Sequence, residues 1–154
     1  MQNKESITLK PCTNEDIELV YKMSVKLIDR FEALDVKTRK TKLPEIKKKI
    51  ETNISSYHRI YKDEKHLGYV YLQEDSKHIE VNDFFLFEDY EKKSLGQIVV
   101  DYMKDLSVNY GKPLFLSIFK MDISSFNLYF SQGFDVYECI KDIQVKMRYQ
   151  PDNR

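Results

Sequence analysis

The stretch from Ile79 to Phe134 constrains this chain more than any other feature. It runs through an apolar segment (IEVNDFFLF), a polar turn (EDYEKKSLG), a helical stripe, a second apolar segment (PLFLSIF) and the closing FNLYFSQGF. A strand that ends in a turn and feeds directly into a helix is a natural anion site. The first-turn N–H groups of a helix lack partners, and its dipole is positive at that end. The turn carries only Gly96, whereas phosphate-cradling loops are commonly richer in glycine, because glycine lets the backbone approach a ligand closely.

The flanking sequence supplies a periodic frame for this stretch. Ile7 to Lys10 reads as a strand, and Thr13 with Asp16 has the spacing of a helix capping box, with Asp in place of Glu. Ile17, Val20, Tyr21, Ser24, Leu27, Ile28 and Phe31 then recur at helical spacing. From Val36 to Lys49, VKTRKTKLPEIKKK carries seven basic residues against the single acid Glu45. It reads as a basic hinge between two helices, with Pro44 opening the second through Ile46, Ile50 and Ile54. Between Tyr57 and Phe87, aromatic and β-branched residues broken by KDEK and EDSK predict three antiparallel strands. Leu95, Ile98, Val99, Tyr102, Met103 and Leu106 predict a third helix, stopped by Asn109, Gly111 and Pro113. A strand over Pro113–Phe119, a fourth helix ending at Gly133, and strands at Val136–Ile140 and Ile143–Tyr149 complete the order.

At 154 residues with 25 basic and 25 acidic side chains, the chain is expected to form one domain, residues 1–154, with no net pull toward nucleic acid or membrane. A nucleic-acid partner would have to use Val36–Lys49 and is not expected. Only Cys12 and Cys139 are present, and no leader pattern precedes Ile7, so a reduced, cytoplasmic setting is the expectation. His58, His66 and His78 have no ligand spacing, so no metal is expected.

The element order, with EKKSLG opening the third helix and FNLYFSQGF closing the fourth, resembles the GNAT family of N-acetyltransferases over nearly the whole chain. The resemblance implies an α/β (α+β) fold: a mixed, mostly antiparallel central sheet of six to seven strands flanked by about four helices. The family's pyrophosphate loop has Gln or Arg, any two residues, Gly, any one, then Gly or Ala. The matching positions are Glu91, Lys92, Lys93, Ser94, Leu95 and Gly96, so the first and fourth differ and the last is kept. The later motif is intact as Leu128, Tyr129, Gly133 and Phe134.

The resemblance further implies acetyl-CoA as co-substrate and direct transfer of its acetyl group to a primary amine of a small molecule or peptide. Phe84 and Leu86 would offer backbone groups to the pantetheine arm, and Glu91 through Gln97 would meet the pyrophosphate. Asp122 stands where many members carry an asparagine that bonds the arm. Tyr129 takes the general-acid position and Glu80 the base position, with Asp83 as a water-mediated alternative.

A lysine-like amine is about 3.4 pKa units too protonated to attack at pH 7, roughly 4.6 kcal/mol, so a base or a desolvating pocket is needed. In the family the region joining the first two helices often lines the acceptor side, which would set Lys37, Arg39, Lys40 and Lys42 toward an acidic acceptor; the alternative, and the more ordinary use of such a charge run, is a solubilising face. The alternative reading, drawn from the altered loop, is a GNAT-like module that binds acyl-CoA weakly or serves in interactions without catalysis. Unpaired sheet edges also make a homodimer an expectation to test.

Overall fold

Seven strands and four helices longer than one turn, among the described residues, follow one another in the order that the periodicity predicts. The computed structural model describes residues 7–91, 95–141 and 143–151, without the side chains of Asp89 and Glu91. β1 (Ile7–Pro11) leads through a 3-10 turn to α1 (Ile17–Phe31) and α2 (Val36–Asn53). Next come β2 (Tyr57–Lys62), β3 (Lys65–Glu74), β4 (Ile79–Leu86), the one-turn α3 (Glu88–Glu91) and α4 (Leu95–Tyr110). β5 (Leu114–Phe119), α5 (Ile123–Ser131), β6 (Asp135–Ile140) and β7 (Gln144–Tyr149) finish the fold.

The seven strands form one sheet in the order β1-β2-β3-β4-β5-β7-β6. All neighbouring pairs are antiparallel except β4 and β5, which run parallel and need the α4 crossover between them. Strand alternation divides the core in two. Ile79, Val81, Leu114, Leu116, Val145 and Met147 turn toward Val99, Val100 and Met103 of α4 and Tyr129 of α5. Tyr57, Tyr69, Tyr71 and Phe85 turn the other way, onto Val20 of α1 and Ile50 of α2.

The expected capping box is present: the Thr13 N–H donates to Asp16 Oδ2 at 2.9 Å. The same carboxylate is almost fully buried and accepts from Arg59 at 2.9 Å and from the Tyr69 hydroxyl at 2.8 Å, pinning the start of α1 to β2 and β3. Burial works to raise the Asp16 pKa, but the bonds from Arg59, Thr13 and Tyr69 outweigh it and hold the carboxyl below its usual range.

The basic segment is a correction to the sequence reading. Val36–Asn53 is one helix rather than a hinge, and Pro44 lies inside it. The helix starts eight residues before Pro44 because Asp35 caps it, accepting from the Thr38 N–H at 2.8 Å. Three of its seven cations pair with α1 or the residue just past it: Arg39 with Asp29 at 2.8 Å, Lys42 with Glu32 at 2.6 Å and Lys47 with Glu18 at 2.7 Å. Those pairs span 10 to 29 residues in sequence, so helical spacing alone does not reveal them.

Candidate functional site

β4 and β5 are zipped only at their beginnings. Ile79, Glu80 and Val81 pair with Leu114, Phe115 and Leu116, and there the shared register ends, although β4 continues to Leu86 and β5 to Phe119. Two features hold the far half of β4 on β3 instead. A bulge leaves Asn82 as an extra residue between the rungs Leu72–Val81 and Tyr71–Asp83. Further on, β3 has no side chain at Gly68, where a Cβ would lie 1.9 Å from the Phe85 carbonyl oxygen. The edge of β4 that turns toward β5 therefore has no strand partner past Val81 among the described residues, and its backbone groups can bond an extended ligand.

Phe84 and Leu86 pack toward the α4/α5 side of this fork. The start of α4 returns to the same place: a Cβ on Gly96 would lie in ordinary contact with Leu86 at 3.8 Å and Leu128 at 3.7 Å, so no strain attends this glycine. Leu95 joins the core, and Gln97 turns its amide along the helix to Asp101 at 3.1 Å. Glu91 closes α3, and Lys92, Lys93 and Ser94 lie outside the described residues.

Tyr129 comes from α5. Only 4% of it is exposed, its ring meets Phe134 edge-on at 5.4 Å, and its hydroxyl makes no hydrogen bond among the described residues. Burial, with a smaller contribution from the Asp122 charge, pushes its pKa well above the ordinary tyrosine range. Asp122 itself caps α5: Oδ1 accepts from the Ser125 N–H at 3.2 Å and Oδ2 from the Ser125 hydroxyl at 2.6 Å. Both of its oxygens thus have partners inside the protein.

Glu80 and Asp83 share the opposite face, on the α1/α2 side. Simple alternation would place residues three apart on opposite faces, and the bulge at Asn82 restores them to one. Glu80 Oε1 bonds Lys146 Nζ at 2.8 Å and lies 3.9 Å from His78 Nε2. Asp83 Oδ2 accepts from the Tyr57 hydroxyl at 2.6 Å and from Lys49 Nζ at 3.0 Å. Tyr57 is fully buried and stacks on Tyr71 at 4.4 Å, and burial with the Asp83 charge raises its pKa strongly. Neither Lys146 nor Lys49 was singled out from the sequence as a site residue. The signal for Lys146 was the alternation of Gln144, Lys146 and Arg148 with Val145, Met147 and Tyr149. Its partner lies 66 residues away.

The arrangement can hold an extended ligand along the open edge of β4, with an anionic end at the start of α4. Tyr129 stands on one side of the sheet, and two paired carboxylates stand on the other. Among the described residues no group of three or more His, Cys, Asp or Glu comes together as a metal site, and no helix is long and apolar enough to cross a membrane.

No protein-family model matches the chain, and no curated protein matches it. Solved structures do. PaiA N-acetyltransferase from Thermoplasma acidophilum, crystallised with coenzyme A, superposes with a TM-score of 0.72 at 16% identity, covering 94% of this chain and 99% of that one. The ribosomal-protein-S18-alanine N-acetyltransferase of Escherichia coli gives 0.62 at 16% identity, over 94% and 93% of the two chains. Arabidopsis thaliana Naa50, in complex with the bisubstrate analogue CoA-Ac-MVNAL, gives 0.63 at 10% identity, over 94% and 99%. At these identities the likeness is one of fold: the chain has the fold of the GNAT N-acetyltransferases.

Proposed function

We propose that this chain is an N-acetyltransferase that takes an acetyl group from acetyl-CoA and moves it directly to a primary amine of a small molecule or peptide. The observation that carries the reading is the fork between β4 and β5, whose open β4 edge ends at Leu86 against the start of α4; Tyr129, whose hydroxyl makes no hydrogen bond among the described residues, supports it from the same core. Coenzyme A in the similar PaiA structure and a CoA conjugate in the Naa50 structure support it.

The residues present fit such a co-substrate. The unpaired edge of β4 at Phe84 and Leu86 would hold the pantetheine arm through backbone bonds, as an added strand is held. The first turn of α4 at Leu95, Gly96 and Gln97, with Glu91 through Ser94 before it, would receive the pyrophosphate, where N–H donors and the helix dipole favour negative charge. Bound there, acetyl-CoA supplies an acetyl carbonyl activated as a thioester. Transfer forms a C–N bond, breaks the C–S bond, removes a proton from the amine and returns one to sulfur.

Tyr129 keeps its proton on Oη at neutral pH because burial penalises the phenolate. A phenol so held is a poor acid before charge develops and a good hydrogen-bond donor once a thiolate does. The Glu80 carboxylate, bonded to Lys146 in this structure, is the group on the other face that takes the amine proton; Asp83, bonded to Tyr57, is the water-mediated alternative.

A second reading has its own observation. Asp122 spends both oxygens on Ser125, and a carboxylate, Glu91, stands at the head of the loop, which favours a module that binds acyl-CoA weakly and turns over little. A thermal-shift titration with acetyl-CoA, with desulfo-CoA and adenosine as controls, separates the two. At 100 times the dissociation constant, ligand binding adds about 2.7 kcal/mol, or a rise of roughly 5 to 10 °C for a chain of this size. No shift at millimolar acetyl-CoA would remove the enzyme reading.

A further inference from the structure

We infer that the amine acceptor carries a carboxylate beside its amine, as the α-amino acids do, and binds over Ser117 on the α1/α2 side of the sheet. This rests on the acetyltransferase reading, since it names the acceptor of that same site. Alternation along β5 sends Leu114, Leu116 and Ile118 into the core against α4 and α5, so Phe115, Ser117 and Phe119 face the other way. Ser117 is the first β5 residue beyond the last rung shared with β4, which puts its short side chain at the fork itself.

Both aromatic neighbours of Ser117 are held in place. Phe119 stacks on Phe31 of α1 at 5.6 Å, and Arg30 lies over that Phe31 ring at 5.0 Å. Phe115 is met edge-on by His78 at 5.5 Å and by Tyr137 at 4.8 Å. A serine between two fixed rings is the low point of this face.

The strands beside that low point carry opposite charge, basic on β7 and acidic on β4, although Arg148 also lies 3.5 Å from Asp135 and Asp83 is held by Lys49 at 3.0 Å. On β7, Lys146 is the register partner of Ser117 and Arg148 that of Phe115. On β4, Glu80 is the register partner of Phe115, and Asp83 follows on the same face. Neighbouring strands lie about 4.8 Å apart, so the two charged rows are separated by about 10 Å, within reach of long side chains leaning inward. Glu80 and Lys146 do meet across β5 at 2.8 Å, each about a quarter exposed.

A ligand whose ammonium lies toward Glu80 and Asp83, and whose carboxylate lies toward Lys146, matches both rows at once. It exchanges one internal ion pair for two charge-assisted contacts. A polyamine instead sets its second cation against Lys146 and Arg148.

The test compares acetyl transfer to each standard primary L-α-amino acid with transfer to the amine left by removing its carboxylate, with spermidine alongside and products read by mass spectrometry. The best-used amino acid should exceed its decarboxylated partner in kcat/KM by about 10- to 100-fold, the worth of one charge-assisted contact. Lys146→Met should bring that ratio to about 1, and Lys146→Arg should retain most of it. Decarboxylated amines or spermidine used as well as the amino acids, or an unchanged ratio in a folded Lys146→Met protein, overturns the inference.

If no amine is acetylated, the enzyme reading has failed, and saturation-transfer NMR with the same pairs decides the recess by itself. Signal for an amino acid that is absent for its decarboxylated partner and lost in Lys146→Met supports it; no signal for any amino acid overturns it.

Discussion

Val81 and Leu116 form the last rung that β4 and β5 share. One residue later β4 bulges at Asn82, and its remaining length stays with β3 rather than β5. The fork that results leaves the β5-facing edge of β4, a central strand, without a strand neighbour past Val81 among the described residues. The start of α4 packs against Leu86 at the open end of that edge, and Glu80, bonded to Lys146, lies in its paired rungs.

Gly68 is what allows β4 to lie so close to β3. Gly68→Ala would place its methyl 1.9 Å from the Phe85 carbonyl oxygen and 2.8 Å from the Leu86 Cα, both backbone atoms that cannot swing aside. The expected cost is about 3 kcal/mol in urea unfolding. A loss under about 1 kcal/mol would mean that the two strands are not in this contact.

Tyr129→Phe removes one oxygen that has no hydrogen-bond partner among the described residues and leaves the packing against Phe134 intact. Stability should stay within about 1 kcal/mol of the parent. Turnover should fall by about 100-fold, the lower range for loss of a general acid, with acetyl-CoA binding kept. Unchanged turnover would take the proton-donor role from this residue.

Acid should weaken the fold in two stages. Burial is the main cause lowering the pKa values of His58 and His66 below 6.5, so just below that pH the unfolded chain binds protons that the folded chain does not. Stability is therefore highest above 6.5, falls as pH drops through 6.5, and levels off below the folded values. Asp16, held below 3.8, adds a second loss in stronger acid as its contacts with Arg59 and Tyr69 are protonated away. Urea midpoints at pH 7.5 and 5.5 should differ, and His58→Gln combined with His66→Gln should remove most of the difference. A drop that persists in the double variant would place its source elsewhere.

The two cysteines should react on different timescales. Burial first, and then the Asp16 charge, push the Cys12 thiol up to about 12, whereas Cys139 is exposed on β6. A chromogenic disulfide reagent at pH 8 should titrate one thiol in the native protein and the second only after denaturant is added. Two fast thiols would contradict the packing of Cys12 beneath α1.

Element types were legible because the apolar spacing is strong. The stripe from Ile17 to Phe31 emerges as α1 with those bounds, and the alternation around Tyr57, Tyr69 and Tyr71 emerges as β2 and β3. The segment Val36–Lys49 was not legible. A helix capped by Asp35 and tied to α1 by long-range ion pairs looks, in a short window, like a lysine-rich hinge interrupted by proline.

Outside Val36–Lys49 the sequence by itself determined which of the longer segments are helix and which are strand, and it placed Tyr129 inside a recognisable Leu-Tyr and Gly-Phe frame, because periodicity and short motifs are local properties. Tertiary structure alone decided where β4 leaves β5, that Glu80 and Asp83 share a face, and that Lys146 and Lys49 reach them. The physical reason is distance along the chain. One bulged residue inverts every later side chain of a strand, and an ion pair between residues 66 positions apart depends on the register of β5 between them, which no local pattern encodes.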